Sequence, residues 1–376
     1  MRGQPLVTVS RGPSRPYRYQ GTGWLRVGAA TTQLSEEQCQ LIAVEQRHGN
    51  QRWELEASRH SIDDLNIDEL HVTITEAVRL GRLRDPNTRE PADLLRGLGL
   101  MTDHCAITNA ATALFGQADR LMPHYTQYLL RVARFNGTEK TDPMTAEAQR
   151  HLPAFDLLAH AEQFCLDHLR VAAHLPAGST RRIDQPEIPP EATREALANA
   201  IAHRDYATGA GSITVAVFDD RVEVTSIGPL HFGLTVEALH QPHGSQSWNP
   251  TIAHTLYLRG IIETWGTGIQ RMTDTTRNAG LLEPDITAAA NSVTVTFTRP
   301  GQLPRWLSAL DLDDTDRAIL QAIARHTPAP STLIAEATGQ PLRTVQSRLD
   351  RLRTDGHVAL TGQTRTARWA LRPRRA

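Results

Sequence analysis

The chain has 376 residues, room for two or three domains, and its 40% hydrophobic and 22% charged content is that of an ordinary folded protein. A formal net charge of -1 excludes a global field that would draw it to nucleic acid or to a membrane surface. Cys39, Cys105 and Cys165 form no CxxC pair, MRGQPLVTVSRG is a poor signal peptide, and no apolar run nears the ~20 residues of a spanning helix, so a reducing, cytoplasmic setting is expected. Lys140 is the single lysine. In NGTEKTD, Glu139 stands where a Walker A loop has glycine, which excludes a P-loop ATPase or helicase motor.

In chain order, PLVTVS (5–10) and GWLRVGAATT (23–32) predict two strands, and residues 34–47 a helix starting between Leu34 and Glu37. Helices and short strands mix over 61–175. Asp68 is placed to cap an amphipathic helix, and HYTQYLLRVARF predicts a strand stopped at Asn136-Gly137. Residues 153–175 read as one long helix, because Phe155, Leu158, Ala161, Cys165, Leu169 and Ala172 recur at spacings of three and four. Next come a helix over Pro190 to His203 and the hairpin SITVAVF-DD-RVEVTSIG, turning at Asp219-Asp220. A helix opens at Asn249-Pro250 with Asn as N-cap, GIIETWGTGIQRM leads into another, and 292–300 is a closing strand. After a linker at 300–304, residues from 312 onward carry three helical patterns and a hairpin. Ser331 is the expected cap of the second helix, which stops at Gly339. Leu342, Val345, Leu349 and Leu352 give the third a buried stripe, leaving Arg343, Thr344, Gln346, Ser347, Asp350 and Arg351 outward.

The chemistry concentrates in REALANAIAHRDY (194–206). Helical spacing puts Glu195, Asn199 and His203 in one stripe, with Leu197, Ile201 and the alanines toward the core. A carboxylate can serve as general base toward water, and a carboxamide oxygen is a hard ligand suited to Mg²⁺. Without context, such a pair is an ordinary solvated stripe. Downstream, Gly266 and Gly268 open a helix, where glycines let backbone N–H groups approach a phosphate. Between them a strand ends in Thr225-Ser226-Ile227-Gly228, where a base edge can be read. HRDY is not a kinase loop, since Ala210 occupies the required Asn position. His231, His240 and His243 lack zinc-ligand spacing.

The order EALANAIAHRDY, VFDDRVEVTSIGPL, WNPTIAHTLYLRGIIETWGTGIQRM resembles the GHKL ATPase superfamily, which includes gyrase B, MutL and histidine kinases. It resembles most the divergent ATP-binding module related to the C-terminal part of the RecG helicase, over about residues 150 to 300. The resemblance implies Glu195 as general base, Asn199 as Mg²⁺ ligand, Gly266, Thr267, Gly268 and Ile269 as the phosphate side, and His203, Ser226 and Gly228 in the nucleotide site. Two departures stand out. Ser226-Ile227-Gly228 replaces the family's DxGxG, which leaves the base open, and Trp248 replaces a basic residue before Asn-Pro. RPYRYQGTGWLRVGAATTQLS resembles the last strands of a Schlafen/AlbA-type domain, which implies a truncated domain or a misassigned start.

The C-terminal pattern resembles the winged helix-turn-helix domains of bacterial regulators. From residue 341 on there are nine arginines against two aspartates, the charge expected of a nucleic-acid site. Arg343, Thr344 and Ser347 are expected nearest the bases, with Arg351, Arg365 and Arg368 on phosphates. The same fold can instead serve protein contact.

The expected fold class is α+β. It comprises a partial Schlafen/AlbA-type domain (1–56), an α/β connecting region (57–150), a GHKL (Bergerat-like) α/β sandwich module (151–303) and a winged helix-turn-helix (304–376). The expected function is an ATP- and DNA-binding transcriptional regulator, using ATP and Mg²⁺, binding double-stranded DNA and forming a homo-oligomer, a dimer. The alternatives are a weak Mg-dependent ATPase with the winged helix as docking module, or a nucleotide-free scaffold.

Overall fold

The computed structural model describes residues 16–27, 30–174, 183–239, 246–263, 266–289, 291–362 and 366–372. The expected strand PLVTVS, His240, His243 and Arg365 lie outside them.

The N-terminal piece is a three-stranded antiparallel sheet, β1 (Arg18–Tyr19), β2 (Thr22–Val27) and β3 (Ala30–Gln33), followed by α1 (Glu36–Asn50). GWLRVGAATT is thus two paired strands, not one. Ser35 starts α1 through a capping box: its hydroxyl accepts from Gln38 N (3.1 Å) and Gln38 Oε1 accepts from Ser35 N (2.9 Å). A Cβ on Gly23 would sit 2.2 Å from Cys39 Sγ, so glycine there lets the sheet close on α1.

The body continues with α2 (Ile67–Arg79), α3 (Pro91–Gly97), α4 (Asn109–Phe115), β4 (Leu129–Phe135), β5 (Met144–His151), α5 (Ala154–His168), β6 (Val171–His174), β7 (Ile183–Pro186) and α6 (Pro190–His203). It ends with β8 (Ile213–Val217), β9 (Arg221–Ile227), α7 (Val236–Leu239), α8 (Pro250–Leu258), α9 (Gly268–Asn278), β10 (Asp285–Ala289) and β11 (Ser292–Thr298). Asn66, not Asp68, caps α2, accepting from Glu69 N at 3.1 Å, and Asp68 lies inside the first turn. The long helix expected over 153–175 stops at His168: Leu169 turns to extended backbone, and the chain enters β6, which pairs with β7.

Six strands form one sheet in the order β10-β11-β9-β8-β4-β5. Every join is antiparallel except β4 with β8, where Leu130 faces Ile213 in parallel. The boundary expected at 150 falls inside β5, so β4 and β5 share this sheet with the later strands. One apolar core runs from Leu65 to Phe297. Along β8, Ile213, Val215 and Val217 enter it while Thr214 and Ala216 face away, the period-two pattern of a sheet.

A second core serves α10 (Arg305–Ser308), α11 (Asp314–His326), α12 (Ser331–Thr338), α13 (Leu342–Thr354), β12 (Val358–Thr361) and β13 (Arg368–Leu371). Ser331 is the first residue of α12 and not its cap; its hydroxyl accepts from Trp369 Nε1 (2.9 Å), which ties α12 to the hairpin. Gly339 ends α12 at φ 64°, a left-handed turn that glycine takes without strain. Val345, Leu349 and Leu352 are buried as expected, but Leu342, at the start of α13, is exposed.

Asn249, expected to cap α8, makes no cap bond. Its Nδ2 donates to Ala202 O (3.1 Å) and Arg204 O (2.7 Å), pinning α8 to the end of α6. The free amides of α8 are met by Glu54, a fully buried carboxylate that accepts from Thr251 N (3.0 Å) and Ile252 N (3.1 Å). Glu54→Ala strands those amides and should cost about 1–3 kcal/mol. Glu54→Gln keeps an acceptor oxygen and should cost less. Denaturant midpoints measure both, and equal losses would rule out the capping role.

Candidate functional site

α6 lies on the sheet between α5 and α9, so it is covered nearly all round. That explains its alanines: Ala192, Ala196, Ala198, Ala200 and Ala202 are buried, and small side chains let three neighbours approach. Glu195 is buried with them, at 7% exposure, rather than lying on a solvated stripe. Asn199 Nδ2 donates to Glu195 Oε1 at 3.1 Å, as the four-residue spacing predicts. Burial lifts the Glu195 carboxyl above its ordinary range, against the opposing hydrogen bond from Asn199.

Between α6, α9 and the sheet lies a cavity of about 1210 Å³, its open mouth included. Its two ends follow α6. Beside Glu195 and Asn199 stand Glu263 and the start of α9; beside His203 stands Gly228, whose Cβ would lie 3.2 Å from Asp205 N. Eight helical residues separate these ends, about 12 Å. The sheet contributes an apolar floor of Val224, Ile286, Val293 and Val295, with Ser226 among them.

The start of α9 closes on α6 very tightly. A Cβ on Gly268 would sit 2.0 Å from Glu195 Oε1, so any side chain there would have to displace the Glu195 carboxylate. Gly266 takes φ 69°, again in the left-handed region. The first amides of α9 have no partner within the helix, and an anion held there meets N–H groups and the positive end of the helix dipole. Glu195, Asn199, His203, Ser226, Gly228, Gly266, Gly268 and Ile269 therefore line one cavity. Thr267 is exposed, makes no cap bond and is not part of the wall.

Sequence reasoning missed the wall at the His203 end. His231 is buried there, with no hydrogen-bond partner on either ring nitrogen, and burial pushes its pKa down to about 4. It stacks on Trp248 at 3.4 Å between ring centroids. On the other face of Trp248 stacks His48 of α1, at 3.5 Å, and His48 Nε2 lies 2.6 Å from Trp248 O. Only the unusual Trp248 was visible in the sequence; its partners lie 200 positions before it and 17 before it.

In the C-terminal unit, Arg343 and Ser347 are exposed on α13, with Thr344 half-buried beside them. Arg351, expected on a phosphate, pairs with Asp316 of α11 and stands 3.8 Å from Asp313, with half of its side chain exposed. Arg348 joins the same two acids, at 3.3 Å from Asp316. Asp316 is only 3% exposed, and a buried carboxylate demands such partners. Arg368 opens β13, its Nη1 donating to Ala367 O (3.0 Å).

Two family models match this chain. That described as "Putative ATP-dependent DNA helicase recG C-terminal" matches residues 210–297, and that described as an AsnC-type helix-turn-helix domain matches 312–353. The chain carries a RecG C-terminal-like domain and an AsnC-type helix-turn-helix domain. The helix-turn-helix match covers α11, α12 and most of α13. The RecG C-terminal-like match runs from before β8 through β11, so it includes Ser226, Gly228 and Gly266 to Ile269 and leaves Glu195 and Asn199 just outside. Among solved structures, the chain is similar to the DIP2311 protein from Corynebacterium diphtheriae, with a TM-score of 0.53 and 18% identity, covering 93% of this chain and 70% of that one. At that identity the likeness is one of fold alone. No curated protein matches the chain. Among the described residues there is no cluster of three or more His, Cys, Asp or Glu able to hold a metal ion, and no helix long and apolar enough to cross a membrane.

The buried Glu195 of α6 gives a pH prediction. Its folded-state pKa is raised above the ordinary 4.5, so the wild type loses stability as pH rises through the raised value. Glu195→Gln should therefore melt a few degrees higher at pH 7, and the gap should close below pH 4.5, where the wild-type carboxyl is protonated in both states. A gap that persists or grows in acid would contradict this assignment.

Proposed function

We propose that the protein is a DNA-binding regulator whose RecG C-terminal-like module takes Mg–ATP and whose helix-turn-helix reads duplex DNA, nucleotide state biasing DNA affinity. The observation that carries this reading is α9. It begins against Glu195 and Asn199, runs about 16 Å, and leads into the loop that sets Leu282 on the core of the C-terminal unit. A shift at the cavity end of this helix is delivered to the DNA-binding unit.

The cavity's chemistry fits the nucleotide. Its polar donors at the Glu195 end are oxygens and backbone amides, which suit Mg²⁺ and phosphate and not a soft metal. With its Nδ2 engaged by Glu195, the Asn199 carboxamide offers its oxygen to the cation, which would neutralise phosphate charge when bound. The α9 amides and Gly266 to Gly268 hold phosphate. Glu195, its basicity raised by burial, serves as base toward water, and Ser226 and Gly228 face the base over an apolar floor. His203 sits on the rim.

On this reading the chain divides into a Schlafen/AlbA-type N-terminal unit, a GHKL-like body that includes β4 and β5, and a winged helix from about residue 304; the protein works in the cytoplasm as a dimer. A second reading, an ATPase that uses the winged helix for docking, is favoured by the pairing of Arg351 with Asp316, which engages one cation of the free face of α13.

Fluorescence anisotropy on labelled duplexes separates the two. The regulator reading predicts salt-dependent binding that shifts when Mg–ATP is added, and Leu282→Ala should keep both ligands while losing the shift. Arg343→Ala should cost roughly 1–3 kcal/mol at a preferred site and little elsewhere. Rapid turnover with DNA affinity absent or indifferent to nucleotide would favour the docking enzyme.

A further inference from the structure

The wall at the His203 end is held from outside the body. The loop 228–234 carries two unfavourable features. Phe232 is a bulky residue at φ 61°, a conformation that L side chains rarely adopt. His231 is buried with both ring nitrogens unpartnered. Each costs free energy and persists only because its surroundings impose it.

Those surroundings come from α1. Glu45 Oε1 accepts from the Phe232 amide at 2.5 Å. Three residues on, one turn along the same helix face, His48 stacks on Trp248, whose opposite face carries His231. The His48 ring also meets Trp248 O at 2.6 Å, fixing the segment that leads into α8. One helix of the N-terminal unit therefore grips both flanks of the cavity's base end: the loop after Gly228 and the segment before Asn249. Leu230, Phe232 and Leu234 of that loop line the cavity, so its shape is the shape of the wall.

We infer that α1 is a latch on the base end of the cavity: it holds loop 228–234 in a strained arrangement, so that docking of the N-terminal unit and occupancy of the cavity are coupled. The coupling to occupancy rests on the nucleotide reading; the latch does not. Because linkage is reciprocal, an occupant that favours the held loop tightens α1 and one that opposes it loosens α1. The N-terminal unit thus senses the base side of the cavity as the winged helix senses the phosphate side through α9.

Neither Glu45 nor His48 lines the cavity, so both can be changed without touching the binding wall. The test is amide hydrogen exchange on the full chain, comparing the parent with Glu45→Ala, His48→Ala and Glu45→Gln, with α13 amides as an internal reference for folding. The latch predicts exchange at the Phe232 amide at least tenfold faster in both alanine variants, α13 unchanged, with partial return in Glu45→Gln. Titration with Mg–ATP then reads the coupling. A dissociation constant changed at least fivefold in the alanine variants, with altered exchange in α1 of the saturated parent, supports it. Unchanged Phe232 exchange overturns the latch, and faster exchange with parental nucleotide affinity overturns the coupling. A parent that binds no nucleotide overturns the nucleotide reading instead, and the exchange result still judges the latch.

Discussion

The structure turns on one close contact, the approach of Gly268 to Glu195 and Asn199. A side chain at 268 would have to push the Glu195 carboxylate aside, and with glycine there the start of α9 lies directly against the polar pair of α6. Much follows from it. α6 is covered by α5, α9 and the sheet together, and its buried alanines let them approach. The carboxylate loses water and its pKa rises. Gly268 and Ile269, at the start of α9, line the same space as the carboxylate and carboxamide. A polar pocket built this way sits inside an apolar core, which is why its few polar groups can act on a ligand more strongly than they would at a surface.

The cavity is also where the rest of the chain converges. At one end α9 leads to Leu282 on the C-terminal core, and Arg305 of α10 reaches back to Glu139 at 2.8 Å, a second tie between that unit and the body. At the other end stand His231, Trp248 and the N-terminal helix. Glu54 adds a third long-range tie, crossing 197 positions to cap α8. Long-range polar contacts of this kind set the relative positions of elements that local propensity alone would leave free.

How much of this was legible in the sequence follows from where each signal resides. α6, the β8–β9 hairpin and α13 were readable because periodicity and turn chemistry are local. The Glu195–Asn199 contact was readable because helical geometry fixes it. Boundaries set by tertiary contacts were not. α5 keeps its apolar period past Leu169, yet the chain leaves the helix to pair as β6. Asn249 has the sequence of a cap, yet its side chain is used by α6 and a distant glutamate caps the helix. The pairing of Arg351 with the buried Asp316 had no sequence signal, because only the fold brings α11 beneath α13. His231 and His48 carry no sequence signal at all, since only the fold brings them to the two faces of Trp248.

The central claim is that the cavity between α6, α9 and the sheet holds a Mg-nucleotide. Isothermal calorimetry of the full chain with ATP, run with and without Mg²⁺, tests it most directly. The account predicts saturable one-site binding that Mg²⁺ strengthens in the parent, with the Mg²⁺ gain lost in Asn199→Ala. Absence of saturable heat in either condition, or affinity and Mg²⁺ dependence unchanged by Asn199→Ala, would contradict it.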